Sequence, residues 1–96
     1  MTYARRVDRN HAEVRTALRA AGWHVTDLFR VGRGVPDMLA ARPGLAVLVE
    51  VKVKGEKLTE AEEAYLKLYP GPAVVVYGAQ DAVDRLAELA RIGVTL

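Results

Sequence analysis

The acidic and basic side chains that could take part in catalysis lie at positions 37 to 52. Asp37 follows a Gly-Val-Pro tripeptide, and Glu50 and Lys52 flank Val51. Side chains two residues apart on a strand project from the same face, so Glu50 and Lys52 are expected roughly 6 to 7 Å apart. Mg²⁺ usually takes one or two protein carboxylates and keeps waters and substrate phosphates as its other ligands. Two carboxylates and a lysine would therefore suffice for a phosphodiester-cleaving site.

Each part of this pattern also has a purely structural interpretation. Glu-x-Lys is typical of an amphipathic edge strand whose charged residues face water or pair across strands. Pro36 and Asp37 are both favoured in plain turns. The order of the motifs favours the chemical interpretation, because a meander of consecutive strands would bring Asp37 beside Glu50.

Length and composition exclude several classes of protein. The 96 residues are 51% hydrophobic and 27% charged, which indicates one small domain over residues 1–96. Cysteine and serine are absent, which excludes disulfides, thiolate metal sites and Ser or Cys nucleophiles. No apolar run of about 18 residues and no apolar signal region is present, so we expect a cytoplasmic protein that does not enter a membrane. His11 and His24 are not spaced as a metal pair and are expected at the surface or at a helix cap.

The net charge of +2 is distributed unevenly along the chain. Residues 1–54 contain ten Lys and Arg against five Asp and Glu, whereas residues 55–96 contain four against seven. A basic first half joined to an acidic second half favours one face that attracts polyanions, and solvated surface charge is the alternative. Four cations in or beside the loops near the carboxylates are candidates for binding a nucleic-acid backbone, or are ordinary surface cations: Arg30, Arg33, Lys54 and Lys57.

Hydrophobic periodicity predicts the elements that must position these residues, in the order α-β-β-β-α-β-α. They cover residues 8–21, 23–31, 38–41, 45–54, 59–69, 73–77 and 81–91, and a short extra strand over 93–96 stays open. In the third strand, valines occupy one side, and Glu50 and Lys52 the other. The apolar stripe of the second helix is expected to be buried; it consists of Ala61, Ala64, Tyr65 and Leu68. The predicted fold is α/β, a mixed sheet flanked by helices.

The order and spacing of the motifs resemble the PD-(D/E)XK nuclease superfamily, and within it the minimal VRR-NUC type, which is Holliday junction resolvase-like. The resemblance spans roughly residues 7–86. It is carried by a helix with Asp8-x-Asn10 and Glu13, then Gly34-Val35-Pro36-Asp37, then Glu50-Val51-Lys52, then Leu58-Thr59 opening a helix. It implies a restriction-endonuclease-like α-β-β-β-α-β core.

The resemblance also implies a role for each matched residue. Asp37 and Glu50 would ligate a catalytic Mg²⁺ or Mn²⁺, with the backbone carbonyl of Val51 as a further ligand. Lys52 would orient or activate the attacking water and offset charge on the phosphate. Glu13 is the candidate for the additional acidic ligand that family members often carry on the first helix.

Members of this family often have Gln on the helix after the Glu-x-Lys strand, and this sequence places Glu62 there. Thr59-x-x-Glu62 also fits a capping box, in which the glutamate reaches back to the backbone of the capping residue. Asn10-x-x-Glu13 fits the same pattern. Both glutamates therefore have a structural alternative to a role in the site.

Sequence and resemblance together predict a Mg²⁺- or Mn²⁺-dependent nuclease that hydrolyses phosphodiester bonds in DNA. The resemblance implies a branched or structured substrate, such as a junction, flap or nick. A chain of this size has little surface with which to hold the two duplex arms of a branched DNA. We therefore expect a homodimer that presents two sites to a pseudo-symmetric substrate. A nucleic-acid-binding or assembly module of the same fold, without turnover, is the alternative, and cleavage of RNA is a third hypothesis.

Overall fold

The computed structural model describes residues 2–93 of the chain. Its elements are α1 Tyr3–Ala20, β1 His24–Asp27, β2 Met38–Arg42, β3 Leu45–Val51, α2 Glu60–Leu68, β4 Ala73–Val76 and α3 Ala79–Gly93. The predicted order of elements and the mixed α/β class are confirmed. Residues 94–96, which include most of the extra strand left open by the sequence, lie outside the described residues. None of the described helices is long and apolar enough to cross a membrane.

The four strands form one mixed sheet in the order β1-β2-β3-β4. β1 with β2 and β2 with β3 pair antiparallel, so the first three strands form the predicted meander. β4 lies parallel to β3, with Glu50 opposite Val75. Parallel neighbours need a crossover connection, and α2 is part of that connection here.

The core lies between the sheet and two helices, α1 and α3, which also pack against each other. It contains Val14 and Leu18 from α1 and Leu86 from α3. From β3 it contains the valines at odd positions, of which Val47 and Val49 are fully buried. The predicted alternation of β3 is confirmed, because its valines enter the core while the charged residues project from the other face.

α1 begins earlier than the sequence predicts. Thr2 is its N-cap, and the Thr2 side chain accepts a hydrogen bond from the N–H of Arg5. Asn10 and Glu13 therefore lie inside the helix, where no free N-terminal amides need a cap. The capping-box alternative is wrong for this pair.

The loop over residues 28–36 connects β1 to β2 and lies against α2. β1 ends at Asp27, short of its predicted end, because the backbone turns and the N–H of Val31 donates to the carbonyl of Leu28. Gly34 has a φ of +82°, and a Cβ there would overlap the carbonyl group of Ala61 in α2. The absence of a side chain at Gly34 thus allows the two backbones to touch.

α2 exposes the stripe that was expected to be buried. None of its residues is buried, and Leu68 is 82% exposed. α2 contacts the rest of the molecule near its first turn, where Ala61 touches Gly34 and Glu62 reaches Lys52. The prediction of a buried stripe is therefore wrong, because these contacts hold the helix with its apolar side facing solvent.

Candidate active site

Asp37 and Glu50 lie side by side on adjacent antiparallel strands. Met38 pairs with Val49, so Asp37, which immediately precedes β2, stands opposite Glu50 near the end of β3. Their carboxyl groups are close enough to share a hydrogen bond. Asp37 Oδ2 also accepts the N–H of Val51 at 2.7 Å. The structure therefore brings together the two carboxylates that the sequence singles out.

Glu50 is almost completely buried, with 2% of its surface exposed. Burial, then the hydrogen bond and the charge of Asp37, raises the pKa of Glu50 from 4.5 to about 9, although Lys52 acts in the opposite direction. Its Oε1 atom is buried and has no hydrogen-bond partner among the described residues. Two adjacent carboxyl groups and an unpartnered oxygen form an environment that a bound cation would neutralise.

A hard divalent cation is the group that this donor set fits. Within residues 2–93, no three His, Cys, Asp or Glu side chains are grouped to hold a metal ion. Two carboxylates completed by water and phosphate oxygens are typical of Mg²⁺ rather than of a closed protein cage. The side chain of Val51 lies in the core, and its backbone N–H donates to Asp37. The backbone carbonyl of Val51 is therefore the group that could ligate a metal, and this role stays a prediction.

Lys52 is held among three glutamates. Its Nζ atom lies 2.6 Å from Glu62 Oε1, 3.5 Å from Glu56 Oε2 and 3.9 Å from Glu50 Oε2. Burial by itself lowers the pKa of Lys52, but the contacts with these three carboxylates outweigh burial and raise it. The site therefore contains a protonated ammonium group fixed beside Glu50.

Glu62 makes two contacts with the same oxygen atom. Oε1 accepts the N–H of Thr59 at 2.8 Å, which completes the capping box of α2, and it pairs with Lys52. Burial by itself raises the pKa of Glu62, but the hydrogen bonds with Lys52 and Thr59 outweigh burial and lower it. The capping box is confirmed. The contact with Lys52 shows that this cap also supports the site.

Two residues of α1 reach the site although the sequence did not assign them to it. His11 Nε2 lies 3.6 Å from Asp37 Oδ2, and Asn10 donates to the backbone carbonyl of Lys52 at 3.0 Å. His11 is partly buried in mid-helix, so it is not the surface or capping residue that was expected. Both residues precede the buried Val14 by about one helical turn, so the apolar stripe indicates that they lie near the sheet-facing side of α1, although it does not specify what they contact.

Glu13 lies on a different side of α1 from His11 but on the same side as Asn10, three residues before it. Its carboxylate pairs with Arg9 at 2.9 Å and its side chain is 51% exposed. Two residues along a helix correspond to a rotation of about 200°, which places Glu13 away from His11. With Asn10 and Lys54, Glu13 lines a pocket beside the segment that follows β3. The described contacts do not join Glu13 to the carboxylate pair, and its role as a metal ligand stays a prediction.

The four candidate cations lie on the chain segments that precede Asp37 and follow Lys52, and all four are exposed. Arg30 and Arg33 belong to the loop 28–36, and the guanidinium of Arg30 lies 5.6 Å from the ring centre of Phe29. Lys54 and Lys57 follow β3, on the chain segment that continues from Lys52. A polyanion at the site would meet these charges, and their role in nucleic-acid binding stays a prediction.

No protein-family model matches this chain, and a search of curated proteins finds no match. The resemblance to the PD-(D/E)XK superfamily therefore rests on the sequence motifs. Evidence for function comes from the arrangement of Asp37, Glu50 and Lys52.

Proposed function

We propose that this protein is a Mg²⁺- or Mn²⁺-dependent endonuclease that hydrolyses phosphodiester bonds in DNA. The observation that carries the proposal is the pairing of the buried Glu50 with the partly buried Asp37, with the Lys52 ammonium 3.9 Å from Glu50. Two adjacent carboxylates repel each other, and the buried Glu50 also loses hydration, so ionising both destabilises the fold. A divalent cation between them would offset that cost, and the adjacent lysine suits a phosphate substrate.

Each residue of the site has a distinct task under this proposal. Asp37 and Glu50 would hold the metal. When bound, the metal would act as a Lewis acid that activates a water molecule and polarises a phosphoryl oxygen. Lys52 supplies a fixed positive charge where negative charge develops on the phosphate. Because the pKa of Lys52 is raised, its ammonium is a poor base near neutral pH, and charge stabilisation is its favoured role.

The order of elements and the loops fit the same proposal. An antiparallel β1-β2-β3 meander followed by a crossover through α2 to a parallel β4 fits a restriction-endonuclease-like α-β-β-β-α-β core. Arg33 and Lys57 are exposed on loops adjoining the site, as a backbone-binding role requires. A branched or nicked DNA substrate and a cytoplasmic location follow from the sequence and stay predictions.

Cleavage of a panel of DNA substrates tests the proposal. Junction, flap, nicked, linear duplex and single-stranded DNA are incubated with the protein and with Mg²⁺, Mn²⁺ or EDTA. We expect metal-dependent cleavage that is strongest on a branched substrate. Asp37→Asn removes a metal-binding charge at nearly constant size, so cleavage should be lost while DNA binding survives. Asp27→Asn is the matched control, because Asp27 lies on β1, outside the site, and pairs with Arg15 of α1.

Other outcomes would favour the other two hypotheses. A folded protein that cleaves none of these substrates with either metal would contradict the nuclease proposal. Retained DNA binding in that case would favour a nucleic-acid-binding or assembly module of the same fold. RNA cleavage exceeding DNA cleavage, with the same loss in Asp37→Asn, would indicate a ribonuclease.

A further inference from the structure

The apolar side of α2 is largely uncovered: three of its four residues are exposed and Tyr65 is partly buried. We call it the α2 stripe; its members are Ala61, Ala64, Tyr65 and Leu68. Leu68 is 82% exposed, well above the 52% of Phe29. The Tyr65 ring stacks on Tyr69 with ring centres 6.0 Å apart, which extends the apolar surface past the end of the helix. An amphipathic helix with this much of its apolar side in water indicates a missing partner.

We propose that the α2 stripe is the contact surface of a homodimer, in which the α2 helices of two copies pack antiparallel about a two-fold axis. A two-fold axis requires a surface that is complementary to itself. The α2 stripe meets this requirement in shape and in charge. The inference is independent of nuclease activity, since it is drawn from α2 alone.

The small and large residues of the α2 stripe alternate in a way that suits antiparallel packing. With a rise of about 1.5 Å per residue, a two-fold axis between Ala64 and Tyr65 sets Ala64 level with Tyr65 of the second copy. The same axis sets Ala61 level with Leu68 of the second copy. Each large side chain therefore meets an alanine, as in knobs-into-holes packing, and the helices can approach closely.

The charges beside the α2 stripe favour the antiparallel direction. Glu60 and Lys67 are seven residues apart, close to two helical turns, so they lie on the same flank of the stripe. In the antiparallel pair, Glu60 of each copy faces Lys67 of the other. A parallel pair would instead bring together two first turns that each contain Glu60, Glu62 and Glu63.

The two-fold arrangement has a consequence for the site, and this consequence rests on the proposed function. Glu62 lies on the opposite flank of the α2 stripe from Glu60 and Lys67, about 100° from its centre. A two-fold axis across the helix pair keeps equivalent flanks on the same side of the dimer. The Glu62–Lys52 pairs of both copies would therefore lie on one side, facing a single substrate.

The oligomeric state of the full chain tests the inference. Sedimentation equilibrium from low micromolar concentration upwards should give twice the 10.5 kDa mass of the chain. Leu68→Glu should weaken the dimer by about 100-fold or more, because it removes two leucines from an apolar contact and inserts two charges. Leu68 is exposed in the single chain, so this variant should still fold, and circular dichroism melting checks that it does.

Charge reversal tests the direction of packing. Glu60→Lys and Lys67→Glu should each weaken the dimer by about tenfold, and the double variant should restore it, because it exchanges the two charges of each pair. Glu63→Lys is the matched control: it makes the same change in the same helical turn, but on the side away from the stripe. We expect it to leave the dimer unchanged.

Three results would overturn the inference. The first is a wild-type chain that stays monomeric at every concentration. The second is a dimer that tolerates Leu68→Glu or ignores the charge reversals. The third is a monomer that loses DNA binding on Leu68→Glu, which would make the α2 stripe a nucleic-acid surface. Because mass is measured without substrate, failure of the dimer and failure of the nuclease proposal are distinguishable.

Discussion

Lys52 Nζ lies 2.6 Å from Glu62 Oε1, the same oxygen that accepts the N–H of Thr59 at 2.8 Å. One carboxylate thus caps α2 and holds the ammonium group of the proposed site. The two roles are separable by mutation, because the Thr59 side chain contributes to the cap and does not pair with Lys52. A variant at each position therefore distinguishes a loss of helix stability from a loss of positioning.

Glu62→Ala should lower both stability and activity more than Thr59→Ala does. Each removes one side of the capping box, which lowers the free energy of unfolding by about 1 kcal/mol, and Glu62→Ala also leaves the buried Lys52 ammonium without its nearest carboxylate. Glu62→Ala also frees Lys52 from its nearest carboxylate, so we expect kcat to fall about tenfold to a hundredfold with little change in KM. Glu62→Gln keeps an oxygen for both Thr59 and Lys52 and should recover most of the loss.

Chemical labelling of Lys52 checks this positioning role without a nuclease assay. An amine-reactive reagent should label the buried Lys52 slowly in the wild-type chain and faster in Glu62→Ala, as mass spectrometry of the labelled peptide would show. Thr59→Ala should label at the wild-type rate. Equal labelling and equal loss of kcat in the two alanine variants would show that Glu62 serves only the helix cap.

The raised pKa of Glu50 makes the stability of the metal-free protein depend on pH. Its carboxyl has a pKa of about 9 in the fold against 4.5 as the ordinary value, so the folded state binds this proton more tightly. The resulting stabilisation is complete at pH values below the ordinary pKa of 4.5. It is lost as the pH rises through the pKa of about 9 that Glu50 has in the folded state. Urea denaturation in EDTA should show the free energy of unfolding falling between about pH 5 and pH 9.

Glu50→Gln provides the comparison for this pH profile. Glutamine cannot ionise, so the variant should lack the Glu50 contribution to the slope and should exceed the wild-type stability at the alkaline end. Measuring both chains in the same buffers removes the contributions of all other titrating groups. Superimposable pH profiles would contradict a raised pKa at Glu50.

Metal binding near neutral pH should release a proton from the site. A metal ligand must be ionised, whereas a Glu50 carboxyl with a pKa of about 9 is protonated at neutral pH. Calorimetric titration with Mn²⁺ in buffers of different ionisation enthalpy should show about one proton released at pH 7, with affinity rising as pH rises. Binding without proton release would place the ion elsewhere.

The same titration settles the role of Glu13. Its ion pair with Arg9 and its position away from His11 indicate that Glu13→Gln leaves Mn²⁺ affinity unchanged. Asp37→Asn is the positive control and should weaken Mn²⁺ binding strongly, since it removes one of the two carboxylates. A clear loss of affinity in Glu13→Gln would instead support the ligand role that the sequence predicts.

The carboxylate pair could be predicted from sequence because local patterns record it. The alternating valines of β3 determine which face Glu50 occupies, since a shift by one residue would put a charge into the core. Asp37 stands just before the neighbouring antiparallel strand, so pairing of consecutive strands brings it opposite Glu50. Both steps need information from only a few adjacent residues.

The contacts that sequence did not predict depend on how the elements pack. The α2 stripe has the spacing of a buried helix side, yet periodicity does not specify what covers that side. A second copy, as proposed above, would satisfy the pattern as well as the sheet would. His11 and Asn10 reach the site because α1 crosses the sheet at one place. Nothing in the spacing of α1 specifies that crossing.

Gly34 is the point where the loop 28–36 and α2 touch, and its replacement should disturb both. A Cβ at Gly34 would overlap the backbone of Ala61 beside Glu62, at a φ of +82°. Gly34→Ala should therefore lower the free energy of unfolding by about 2 to 4 kcal/mol and also reduce cleavage by moving Glu62.

Gly32→Ala is the matched control for this contact. Gly32 has a similar φ of +72°, but no atom lies within 4 Å of its Cβ position, so only backbone strain of about 1 to 2 kcal/mol applies. Chemical denaturation of the two variants in parallel isolates the steric contribution of Ala61. Equal destabilisation by Gly34→Ala and Gly32→Ala would contradict the close contact between the loop and α2. It would also contradict the idea that this contact helps to position Glu62 and Lys52.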